Sequence, residues 1–207
     1  MARIQCKMCG GDLTLPEGIA SGNCEYCGCL VTFPKISNDQ IENLYNRAEH
    51  FRKINDYEKA VATYEKLVIS NPNDPEVYWG LVLSRYGIEY VEDPISHERI
   101  PTCHRVQFES ILTDSDYLTT LKYAGEVEKN IYQKEAEKIA KIQKDILAIS
   151  QNEEPFDVFI CYKESDATGK RTKDSVIAQD IYFALKQEGI KTFFARITCK
   201  LLIRPIL

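Results

Sequence analysis

No apolar run in this 207-residue chain approaches the 18 or so residues that a bilayer-spanning helix needs. The opening MARIQCKMCG also lacks the apolar core of a secretory signal. A cytosolic location with no membrane partner is the expectation that follows. Basic excess is missing too: the formal net charge is −5, and Lys and Arg are scattered among acids instead of gathered in a stripe. That removes the electrostatic footprint of a nucleic-acid-binding surface, so no nucleic-acid partner is expected. With 44% hydrophobic and 28% charged residues the composition is that of globular chains, and the length allows one or two ordinary domains.

What the chain does have is cysteine. Five of its eight lie in the first 29 residues, and Cys103, Cys161 and Cys199 are isolated. CKMCGG and CEYCGC give Cys6-x2-Cys9 and, fourteen residues later, Cys24-x2-Cys27, with Gly10 and Gly28 after each pair. Two residues between thiolates let one tight turn aim both sulfurs at a single ion. The following glycine can take positive φ and turn backbone N–H groups toward the sulfurs. Four thiolates close a tetrahedral Zn2+ site with no position left for water, hence structural and not catalytic. Two disulfides are the alternative, disfavoured by a cytosolic setting. The spacer LTLPEGIASG is long enough for a short hairpin that brings the second pair beside the first. Cys29, two residues past Cys27, is read as a bystander. Residues 1–35 resemble a zinc ribbon, a domain so small that metal binding supplies its folding free energy.

Residues 40–115 read as helical. NLYNRAEHFRKI places Leu44, Ala48 and Phe51 on one face, and NDYEKAVATYEKLVISNPND places Tyr57, Ala60, Tyr64 and Leu67 on another, with Ile54–Asp56 as the turn. The stretch from Leu44 to Asp74 looks like one tetratricopeptide repeat, with Tyr64 and Pro72 at its aromatic and proline positions. DPEVYWGLVLSRYGIEYVEDP starts like a further repeat helix that Pro94 and Pro101 break off. One and a half units are too few for a peptide-binding groove, so a spacer role is favoured. Cys103 beside His104 invites a metal or nucleophile reading, with a plain loop pair as the alternative. Residues 116–152 read as a helical connector. Its Ile139, Ile142, Ile146 and Ile149 either pair with a second copy or, as favoured, pack on the preceding helices.

Pro155 ends that helix and FDVFICY follows as a seven-residue strand, apolar enough to be covered on both faces. In such a strand Cys161 is expected to be a small buried hydrophobe, not a nucleophile. SVIAQDIYFALKQEG predicts a helix with Val176, Ile177, Ile181, Ala184 and Leu185 inward and Gly189 as its stop. IKTFFARI is a second strand. The strand–helix–strand order starts an open α/β sheet whose ligands sit at the carboxyl ends of the strands, where the loop after Tyr162 lies. TGKRT in that loop lacks the glycine-rich turn of a phosphate loop.

FDVFICY is similar to the first box of Toll/interleukin-1 receptor (TIR) domains: Phe156, Asp157, Val158, Phe159, Ile160 and Tyr162 match, and Cys161 stands where many members have serine. DSVIAQDIYFALKQEGIKTFFARI extends the likeness. The order of ribbon, repeat-like helices, connector and C-terminal unit resembles a group of bacterial TIR-domain proteins. The resemblance implies a multidomain fold: a small zinc-ribbon β domain, an α-helical tetratricopeptide-like middle, and over residues 155–207 a partial flavodoxin-like α/β TIR unit. It also implies a signalling or defence protein. In complete form it is an NAD hydrolase, with Lys163 and Glu164 at the nucleotide pocket and a glutamate from beyond the second strand. The alternative is a non-enzymatic adaptor whose TIR unit and helical regions bind protein partners or self-associate. After Glu188 the chain contains no Asp or Glu, and CKLLIRPIL departs from the family's next segment, as a fragment or a disrupted gene would. An inactive hydrolase is therefore expected, with its last fifty or so residues poorly stable alone.

Overall fold

Two antiparallel hairpins open the chain. β1 (Arg3–Gln5) pairs with β2 (Asp12–Thr14), Ile4 opposite Leu13, and β3 (Ser21–Asn23) pairs with β4 (Leu30–Thr32), Gly22 opposite Val31. Each Cys-x-x-Cys pair forms the tip of one hairpin. The spacer therefore does not hold a hairpin of its own, as the sequence suggested; it contributes one strand to each of two, because each strand pairs back across its own cysteine turn. Ile4, Leu13 and Val31 alternate inward and are buried. The structure, a computed structural model, describes residues 2–15, 18–152 and 155–195. They fall into two compact units, Met1–Ile149 and Ser150–Leu207.

Three helices follow in the first unit, each opened by a side chain that takes an otherwise orphan N–H. Asn38 caps α1 (Asp39–Lys53) through Ile41, Asp56 caps α2 (Tyr57–Ser70) through Lys59, and Asp74 caps α3 (Pro75–Arg85) through Glu76. Pro75 occupies the first turn, where its missing N–H costs nothing. Asn55, at φ 59°, makes the turn between α1 and α2. Ala48 and Ala60 are fully buried and let the two helices approach, and Tyr57, Tyr64 and Leu67 face inward as their spacing requires. Gly80 in α3 lies so close to the Tyr64 ring that an added Cβ would overlap it.

Beyond α3 the sequence suggested a broken helix, whereas the structure has a third hairpin, β5 (Ile88–Glu92) with β6 (Arg99–Cys103). Pro101 sits within β6 opposite Tyr90, tolerated because a two-stranded ladder leaves outer backbone groups unpaired. The predicted helical stretch from Asp116 onward is split into α4 (Ser115–Tyr123) and α5 (Glu126–Asn152). Ala124 is extended at ψ 144° there, and the Glu128 carboxylate accepts the Gly125 N–H at 2.7 Å. Along α5, Tyr132, Ala136 and Ile139 join the core around Trp79, while Ile142 and Ile146 are half-buried and Ile149 is exposed. The other core of this unit runs without a break from Ile4, Val31 and Phe33 of the N-terminal hairpins to Tyr45, Ala48 and Tyr64 of the helices.

In the second unit β7 (Val158–Phe159) pairs in parallel with β8 (Thr192–Phe193), and α6 (Lys173–Gln187) is the crossover between them. Ile190 N–H reaches Leu185 C=O at 3.0 Å around Gly189 at φ 76°, the expected helix stop. Three expectations need correction. The first strand has two regular residues in place of seven. It is not covered on both faces, since Phe156, Phe159 and Cys161 are exposed. The inward face of α6 is Ser175, Ala178 and Tyr182, with Val176, Ile177, Ile181 and Ala184 outside and Leu185 half-buried. The helix turns that way because Tyr182 stacks at 5.3 Å on Phe194, the one fully buried aromatic of this unit's core. Cys199 and the end of the predicted second strand lie outside the described residues.

Candidate metal centre and the buried charges around it

The sulfurs of Cys6, Cys9, Cys24 and Cys27 all lie within 4.8 Å of one another. Cys9 and Cys24 Sγ are 3.7 Å apart. A disulfide needs about 2.05 Å, whereas thiolates about 2.3 Å from one tetrahedral ion stand about 3.8 Å from each other. The donor set therefore fits a structural metal site, and among the described residues it is the only such cluster.

The two knuckles repeat one hydrogen-bond pattern. Gly10 N–H donates to Cys6 C=O and Gly28 N–H to Cys24 C=O, each at 2.8 Å. Cys6 N–H donates to Gly11 C=O at 2.8 Å and Cys24 N–H to Cys29 C=O at 2.9 Å. Gly10 and Gly28 take φ of 85° and 71°, the left-handed region that a side chain disfavours. Cys29 thus occupies the place of Gly11: its carbonyl closes the turn, and its sulfur is not in the four-sulfur cluster. Burial pushes the Cys6 thiol up to about 11 and raises Cys27 as well. Burial also opposes ionisation of Cys24, but N–H groups of Cys27 and Tyr26 outweigh it and lower that thiol. A divalent cation is what such a pocket needs to hold four thiolates.

Sequence reasoning missed the shell beside the sulfurs. Lys7, between two of the ligands, is buried and points into the helical body, with its ammonium 3.1 Å from Glu76 and 3.6 Å from Glu135. It also donates to Thr32 at 2.7 Å, and the Thr32 hydroxyl donates to Glu76. Arg52 pairs with Glu49 at 2.7 Å and donates to the backbone carbonyls of Lys7 and Ile88 at 2.9 and 3.0 Å. Tyrosines complete the shell: Tyr132 donates to Glu76 at 2.8 Å, Tyr64 to Glu49, and Tyr90 to Glu135 at 3.4 Å, where Trp79 also donates at 2.9 Å.

Two cations here face three carboxylates. Burial opposes the charge on Glu49, but Arg52 beside it outweighs burial and holds this acid below its ordinary range. Burial, despite Lys7, pushes Glu76 up to about 7. Charges inside a protein persist only where partners meet them on every side. Lys7 therefore pins the metal-binding turn to α3 and α5. The separate signals were visible, an i,i+3 acid–base pair on α1 and tyrosines at helical spacing, but such charges usually face water.

Lys163 and Glu164 are adjacent, exposed residues of the loop between β7 and α6. That loop closes on itself. Asp166 accepts from Thr168 N–H at 2.8 Å and Lys170 N–H at 3.0 Å, Thr172 N–H reaches Glu164 C=O at 3.1 Å, and the Thr172 hydroxyl donates to Lys163 C=O. Within TGKRT, Arg171 folds back on α6, donating to Ser175 C=O at 2.9 Å and Gln179 at 2.6 Å. Cys161, expected to be buried, is exposed because no second layer covers this side of β7 among the described residues. Cys103 and His104 make a plain loop pair: Cys103 donates to Tyr86 C=O at 3.3 Å, and His104 meets Glu89 at 3.0 Å. The chain matches no family model, no curated protein and no solved structure.

Proposed function

We propose that the chain is a TIR-type signalling or defence protein in which a zinc-stapled helical body carries the α/β unit. The unit works by contact, as an adaptor. The observation that carries this reading is the parallel pairing of Val158 with Thr192 and Phe159 with Phe193 through the α6 crossover, on the FDVFICY stretch that resembles the first TIR box. The loop bearing Lys163 and Glu164 follows that strand, on the side where ligands of such sheets bind. Against turnover, glycoside-type cleavage needs a carboxylate beside the oxocarbenium-like centre. The resemblance calls for one after the second strand, and residues 189–207 hold no Asp or Glu.

Zinc is the metal proposed for the four sulfurs, since a closed all-thiolate tetrahedron selects it over harder ions. Its role is to fold the ribbon and hold Lys7 in place. Nicotinamide release from NAD by the purified full chain tests the adaptor reading: no release above a protein-free blank is expected, and measurable turnover overturns it in favour of the hydrolase. Binding of NAD that weakens in Lys163→Ala and Glu164→Ala variants is the expected sign of a retained nucleotide wall.

A further inference from the structure

A groove of about 660 Å³ runs between the second knuckle, the turn joining β5 to β6, and one face of α5, all within the first unit. Its volume is that of a small-molecule site. Its apolar lining comes from elements far apart in sequence: Met8 and Leu30 from the two cysteine hairpins, Val127 and Ile131 from α5. Ile131 is buried, while Leu30 and Val127 are 49% and 65% exposed. Two sizeable aliphatic groups thus stand open to solvent along one cleft.

The charges of the cleft sort into committed and free. Glu135 is held by Lys7, Trp79 and Tyr90, and Arg99 and His97 both pair with Glu92 at 3.0 and 3.1 Å. Lys134 and Lys138 remain. They lie one helical turn apart on the cleft side of α5, and among the described residues neither makes an ion pair. Like charges at this spacing repel, and an anion placed between them removes that repulsion while its apolar part covers the open aliphatic groups. In a chain of net charge −5, two unpaired ammonium groups beside apolar floor select for an anion and against a cation. Inorganic ions gain nothing from Met8, Leu30 and Val127. Glu98 at the rim is the one uncommitted acid in the lining.

We infer that this groove binds a small organic anion, a phosphate or carboxylate with a short apolar body, its charge between Lys134 and Lys138 and its body against Met8, Leu30, Val127 and Ile131. The site borders the second knuckle, whose Cys27 is part of its wall, and includes no residue of the loop of Lys163 and Glu164, so it stands whatever the α/β unit does.

Hexyl phosphate and hexanoate titrated into the metal-loaded full chain, followed by amide NMR shifts, test it, with inorganic phosphate and hexanol as controls. Saturable shifts confined to residue 8 and residues 27–30, 97–99 and 127–138 are expected. Inorganic phosphate and hexanol should each bind about tenfold more weakly than the better amphiphilic anion, and which of the two amphiphiles binds tighter identifies the headgroup. Lys134→Gln with Lys138→Gln should weaken binding about tenfold. Glu98→Gln, which removes the rim acid, should tighten it about twofold. Shifts centred elsewhere, equal binding of hexanol, or unchanged affinity in the double variant would overturn the assignment.

Discussion

Among the described residues, the first unit buries charge and the second exposes apolar surface. In the first unit Lys7, Glu49, Arg52 and Glu76 are each at most 5% exposed, beside Trp79, Tyr45, Tyr64 and Tyr132. In the second, the core is Ala178, Tyr182 and Phe194, while Phe156, Phe159, Val176, Ile177, Ile181 and Phe183 remain on the surface. Hydrophobicity alone predicts the reverse. The difference teaches that burial depends on how many elements surround a site. In the first unit α1, α3, α5 and two cysteine hairpins meet around Lys7, so every charge finds a partner. Among the described residues of the second, two short strands and one helix leave apolar groups without a layer to pack on.

Metal removal breaks this comparison most severely. Structural thiolate sites contribute on the order of 10 kcal/mol at neutral pH, and here that energy also positions Lys7. Chelation, or a Cys6→Ser, Cys24→Ser protein, should lose its bound metal and expose the amides of α1 and α3 to hydrogen exchange. Exchange in α6 should stay the same. Equal loss of protection in α6 would erase the contrast between the units, and a double variant that kept one zinc per chain would refute the four-sulfur site.

Lys7→Met comes next. It leaves Glu76 without its cation, and breaking a buried pair costs about 3–5 kcal/mol. Urea unfolding at pH 7.5, followed by the fluorescence of Trp79, the only tryptophan, should show that loss. The metal content should be unchanged, because the ligands remain.

A pH comparison of the wild type with Glu76→Gln sharpens the account of the buried charges. Glu76 protonates near 7 when folded against an ordinary 4.5, so between those values the folded chain holds the extra proton. The stability that proton confers is complete below about pH 4.5 and is lost as the pH rises through 7. Relative to Glu76→Gln, the wild type should gain up to roughly 3 kcal/mol as pH falls from 8 to 5. Both proteins carry the same thiolates, so acid effects on the metal cancel. A flat difference would mean that Glu76 stays ionised beside Lys7.

The smallest effect is expected at the open face of the second unit. Phe159 is 64% exposed, and Phe159→Ser should change stability by less than about 0.5 kcal/mol. Tyr182→Ala, in the core of that unit, should cost about 3 kcal/mol. Thermal unfolding of both variants checks this pair, and a large loss at Phe159 would mean that something covers that face in solution.

How much of this was legible beforehand follows the range of each interaction. The clustering of Cys6, Cys9, Cys24 and Cys27 could be read directly, because a two-residue turn already aims both sulfurs one way. The α1–α2 hairpin could be read from the spacing of Ala48, Tyr57, Ala60, Tyr64 and Leu67 and from the turn at Ile54–Asp56, whereas the caps Asn38 and Asp74 came with the structure. The β5–β6 hairpin could not, since Pro94 and Pro101 suggested interruption and nothing local paired Tyr90 with Pro101. Nor could the face of α6: the sequence pointed to Val176, Ile177, Ile181, Ala184 and Leu185 as inward, and only the position of Phe194 turned Ser175, Ala178 and Tyr182 to the core instead.

The sequence by itself thus determined the four cysteines that cluster, the α1–α2 turn and the strand–helix–strand order, each set by contacts within a few residues along the chain. Tertiary structure alone decided which charges are buried, which apolar groups stay outside, and where Lys134 and Lys138 meet Leu30 and Met8. Lys7 and Glu76 are 69 residues apart in sequence, and an ammonium so placed is indistinguishable from a solvated one until the surrounding elements have packed against it.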